Sequence, residues 1–164
     1  SPDGMKIAFY SNKKGQSYIL DLNKPKAKAS VRPLPHHSQG FCAWSWSRDG
    51  KLLAGESGAS QGGIVVYSFE SGTYQRLTDF GFNPVWLSDG RRLLFSHHIV
   101  GSTSILLLDI ESGEYHEVLS PEMTYIAPDG IQPWVALSPD DETIYFVRMR
   151  NEADIWMLSL DEPR

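Results

Sequence analysis

Four aspartates recur in one local setting. Asp3, Asp49, Asp89 and Asp140 stand in Ser1-Pro2-Asp3-Gly4, Ser47-Arg48-Asp49-Gly50, Leu87-Ser88-Asp89-Gly90 and Ser138-Pro139-Asp140-Asp141. Repeated carboxylates are raw material for calcium binding, but calcium takes ~6–8 oxygens, and no further oxygen ligands follow here at short spacing. The same residues suit a tight turn. An Asp side chain accepts N–H groups of its own turn, and Gly4, Gly50 and Gly90 complete three of these turns. The aspartates are therefore assigned to turn structure and not to a metal.

Two segments match catalytic patterns letter for letter. Gly58-Ala59-Ser60-Gln61-Gly62 reads as G-x-S-x-G, whose serine needs a strand before it, a helix after it, and Asp and His later in the chain. Here a strand-like run, Ile64-Val65-Val66-Tyr67, follows instead, so the segment is read as a hairpin loop. Ser11-Asn12-Lys13-Lys14 reads as S-x-x-K but lacks that motif's Ser-Asp-Asn and Lys-Thr-Gly companions. No catalytic residue is assigned. His36-His37 and His97-His98 lack the His/Cys/carboxylate spacing of a zinc site, and adjacent strand residues point to opposite faces. No cofactor is assigned either. The single cysteine, Cys42, lies in the apolar stretch Phe41-Cys42-Ala43-Trp44, which fits a buried, inert thiol. A net charge of −5 argues against a nucleic-acid partner, since three lysines at 24, 26 and 28 do not make a basic face. No apolar run reaches the ~20 residues of a membrane span, so direct membrane insertion is not expected.

The elements that carry these residues repeat. The aspartates lie 46, 40 and 51 positions apart (3 to 49, 49 to 89, 89 to 140). A period of roughly 40–50 residues marks a repeat architecture. After each aspartate comes an apolar run: Ile7-Ala8-Phe9, Leu53-Ala54-Gly55, Leu93-Leu94-Phe95 and Ile144-Tyr145-Phe146. Both faces of these strands are apolar, so each needs cover on both sides. A second run follows, at Tyr18-Ile19-Leu20, 64–67, 105–108 and 155–158. Glu70-Ser71-Gly72 and Glu111-Ser112-Gly113 then turn the chain into third strands from Tyr74 and Tyr115, a place held in the first repeat by 31–34. A further strand leads into each next Asp turn, at 41–46, 84–87 and 133–137. No stretch has helical periodicity. The repeats run about 1–34, 41–78, 83–120 and 132–160.

Trp46-Ser47-Arg48-Asp49-Gly50-Lys51 and Trp86-Leu87-Ser88-Asp89-Gly90-Arg91 resemble the W-S-P-D-G-K signature of TolB-like propeller repeats, and Arg76-Leu77-Thr78 resembles a later strand of the same repeat. Arg48 and Ser88 replace the motif proline, Asp141 replaces the glycine, and Gly55 takes an aromatic position, leaving a void or admitting another backbone closely. The resemblance implies an all-β partial propeller of about four antiparallel blades. The strand entering each Asp turn would be innermost and the strand after Glu-Ser-Gly outermost. The blades then hold three, four, four and three strands, as expected of part of a larger propeller. The resemblance further implies a non-enzymatic interaction module. Its setting would be the C-terminal sensor region of a bacterial serine/threonine kinase or a TolB-like periplasmic protein. The alternative is the gating propeller of a prolyl-oligopeptidase-type peptidase.

Trp44, Trp46, Trp86 and Trp134 fall on or beside the innermost strands and are expected to fill the space between blades. Phe80, Phe82 and Tyr125 fall in inter-blade loops. With His36, His37, His97, His98, Arg148 and Arg150 they compose a candidate binding face for a protein or peptide partner, since longer loops host recognition. The open ends call for the rest of the propeller or a second copy.

Overall fold

The computed structural model describes residues 1–23, 30–58, 62–99, 102–120 and 135–146. Among them are thirteen β-strands and no α-helix. The strands form four consecutive antiparallel sheets. The first holds β1 (Lys6–Ser11), β2 (Gln16–Asp21) and β3 (Val31–Pro33). The second holds β4 (Phe41–Trp46), β5 (Leu52–Ser57), β6 (Ile64–Ser68) and β7 (Tyr74–Arg76). The third holds β8 (Phe82–Trp86), β9 (Arg92–Ile99), β10 (Ser102–Asp109) and β11 (Tyr115–Leu119). The fourth holds β12 (Val135–Leu137) and β13 (Ile144–Phe146). Spatial order follows chain order within every sheet, so β7 and β11 lie at sheet edges opposite β4 and β8. The expected strand at 155–158 lies outside the described residues.

Alternation along each strand sends neighbouring side chains to different sheets. Leu53, Val65 and Tyr67 join Ile19, Leu34 and Phe41 in the core between the first and second sheets. Their neighbours Ala54, Ile64 and Val66 face the other way and meet Trp86, Leu93, Phe95, Leu106 and Leu108. Leu94 and Ile105, again on the opposite face, pack with Leu87 against Val135, Leu137 and Ile144 of the fourth sheet. The two-faced apolar strands read from the sequence are thus covered on both sides in the middle of the molecule. Of the tryptophans, Trp86 is buried in the second core, and Trp46 is half-buried, stacked on Phe69 with centroids 4.7 Å apart. Trp44 instead sits at a bulge between Ala43 and Ser45, out of the ladder. Trp134 lies outside the described residues.

The Asp turns share one hydrogen-bond pattern. Asp49 Oδ1 accepts from Ser47 Oγ (2.7 Å) and Lys51 N (3.0 Å), and Ser47 Oγ accepts from Leu52 N (2.9 Å). Asp3 and Asp140 repeat this with Ser1 and Ser138. Leu87 stands in the serine position of the third turn. There Asp89 accepts from the backbone of Arg91 and Arg92, and Arg92 Nε adds a bond of 2.6 Å. Asp141, in the glycine place of the fourth turn, takes φ 61°. Its Oδ2 accepts from Ser88 N at 2.7 Å, tying the fourth sheet to the third.

Three readings of the sequence change. Phe82 is not in a loop: β8 starts there, two residues before the expected 84, because Asn83 adopts φ 53° within a register shift that carries the strand past Pro84. His97 and His98 do not follow their strand but extend it, pairing with Ser104 and Thr103 of a long β10. Gly55 leaves no void. A Cβ there would lie 2.3 Å from Cys42 O and 2.5 Å from the Phe41 ring, so the glycine admits its neighbour strand closely.

Candidate functional site

The loops at one end of the strands gather around Phe80, Phe82, His97 and His98. Phe80 folds onto its own sheet, with its ring centroid 4.5 Å from His97, 5.4 Å from Tyr115 and 5.9 Å from Phe95. Phe82 lies 5.3 Å from His98, whose Nδ1 is 2.7 Å from Thr103 Oγ1. Burial, followed by the neighbouring His97, pushes the His98 imidazole below its ordinary pKa and favours the neutral ring. All four side chains are half-buried, so each keeps an open edge. The other histidine pair stands apart: His36 is exposed, and His37 contacts Gly40 O at 2.8 Å and the Tyr74 ring at 5.0 Å. Tyr125, Arg148 and Arg150 lie outside the described residues, as do 59–61 of the G-x-S-x-G segment. The strand that follows that segment is β6.

Beneath this rim the loops are tied down. Thr78 Oγ1 accepts from Ile64 N at 2.9 Å and donates to Phe80 O. Arg76 donates to Asp79, Thr78 O, Gly62 O and Gln39 Oε1, joining three loops. Deeper lies Glu56, whose Oε2 accepts from Asn83 N at 3.0 Å. Burial raises the Glu56 pKa, and hydrogen bonds from Asn83 and the Trp44 indole oppose that rise. Burial, then Glu56 across the strand pair, pushes the Cys42 thiol up to about 12, so the half-buried sulfur stays protonated. Among the described residues no three His, Cys or carboxylate side chains converge to hold a metal ion.

The opposite end of the strands, the Asp-turn rim, carries two adjoining clefts that sequence reasoning did not anticipate. One, of about 490 Å³, is walled by Trp46, Trp86, Val85, Val135, Leu137 and Pro139, with Arg48, Ser88 and Asp141 at its edge. The other, of about 440 Å³, lies between the first two Asp turns and shares Trp46 and Arg48 with the first. The one sequence signal was Arg48, a long cation where the repeat signature has proline.

No protein-family model matches the chain, and no curated protein matches it by sequence. Solved structures do match by fold. TolB from Acinetobacter baumannii superposes with a TM-score of 0.61 at 16% identity, over 85% of this chain and 34% of that one. A putative TolB from Agrobacterium tumefaciens gives 0.64 at 17%, over 89% of this chain and 62% of that one. The chain has a TolB-like β-propeller fold. The four sheets are its blades, and β4 and β8, which contact each other, lead into the Asp turns as the resemblance implied. The tricorn protease, an enzyme, contains the same propeller arrangement (TM-score 0.61, 17% identity, 87% of this chain and 13% of that one). The chain spans less than two thirds of each of these proteins, from 13% to 62% of their length. At such identities the likeness defines blades and leaves chemistry to the residues.

Proposed function

We propose that this chain is a non-catalytic propeller scaffold that binds a protein or peptide partner through its loop rim. The observation that carries this reading is the ledge of Phe80, Phe82, His97 and His98. Its aromatic rings sit 4.5–5.3 Å from imidazoles on an extended hairpin and are held by the Thr78 and Arg76 bonds beneath. Rigid, half-exposed aromatics are what interface anchors are made of. His36, His37, Tyr125, Arg148 and Arg150 belong to the same proposed rim. The fold likeness to TolB supports an extracytoplasmic interaction role within a larger bacterial protein, such as a TolB-like periplasmic protein or a kinase with a C-terminal sensor.

A photo-crosslinking residue placed at Phe82 should capture a partner that one placed at Gly72 on the opposite rim does not. Phe82→Ala should then weaken binding of the identified partner at least tenfold, with melting unchanged. If only Asp-turn variants weaken it, the loop rim is not the interface. Ester or peptide hydrolysis lost in a folded Ser60→Ala variant would refute the non-catalytic half of the reading.

A further inference from the structure

We draw no further inference here: the strongest candidate, the largely apolar cleft on the Asp-turn rim between Trp46, Trp86 and the fourth blade, carries none, because the Asp141 carboxylate shares its edge with Arg48 and nothing in the structure shows what covers its walls.

Discussion

Asp49 shows how one side chain closes a turn in this fold. Its carboxylate accepts from Ser47 Oγ and Lys51 N, which stabilises the charged form and holds its pKa below the usual carboxylate range, as at Asp3 and Asp140. At Asp89 burial works in the opposite sense, but the backbone bonds and Arg92 outweigh it and the pKa is again lowered. A depressed acid pKa contributes stability that is present above the unfolded value, about 3.9, and is lost as pH falls through the folded one. Glu56 runs the other way. Burial raises its pKa, so ionisation costs stability as pH climbs from about 4.3 through the folded value. Glu56→Gln, which cannot ionise, should therefore melt higher relative to wild type at pH 7.5 than at pH 4. A difference independent of pH would refute this account of Glu56. At Gly55 the effect is steric: Gly55→Ala pushes a methyl into Cys42 O and the Phe41 ring and should cost about 1–3 kcal/mol in urea unfolding.

Between elements, the fourth blade docks on the third, among the described residues, through one polar contact beside an apolar core. The Ser88 N bond to the charged Asp141 side chain is worth about 1.5–3 kcal/mol, and the left-handed backbone of a non-glycine residue takes back about 1. Asp141→Gly, which restores the repeat signature, should thus destabilise by about 1 kcal/mol, whereas Asp141→Asn, which keeps an acceptor and tolerates that backbone, should lose less. Equal melting of the Gly variant and wild type would show the clamp to be idle. The Asp turns and strand faces were legible in the sequence because they depend on contacts within a few residues and on alternation. The start of β8 was not, because Asn83 rather than glycine takes the positive φ, and nothing local announces it. Nor was the length of β9, which depends on its pairing with β10 through His97 and His98. The Asp-turn clefts escaped for a further reason: Trp46, Trp86 and Val135 come from three blades, and only the packed structure brings them together.

For the whole molecule, the apolar faces that the middle blades cover stay open at both ends. Met5, just before β1, and Ile7 and Phe9 along it are 44%, 46% and 37% exposed, with Leu22 and Val31 exposed on the same blade. At the other end Tyr145 and Phe146 are 59% and 36% exposed. β1 and β2 place Ile7 opposite Leu20 and Phe9 opposite Tyr18, so the first blade presents a continuous apolar face. Soluble monomers seldom leave such patches bare, and β1, bonded only to β2 among the described residues, is a sheet edge that invites another strand. These faces are expected to be covered, by further blades of a longer chain or by a second copy. Sedimentation velocity of residues 1–164 at low micromolar concentration, with a hydrophobic-surface dye, tests this most directly. Self-association or strong dye binding is the expected result. A stable monomer that melts cooperatively and leaves the dye dark would contradict it.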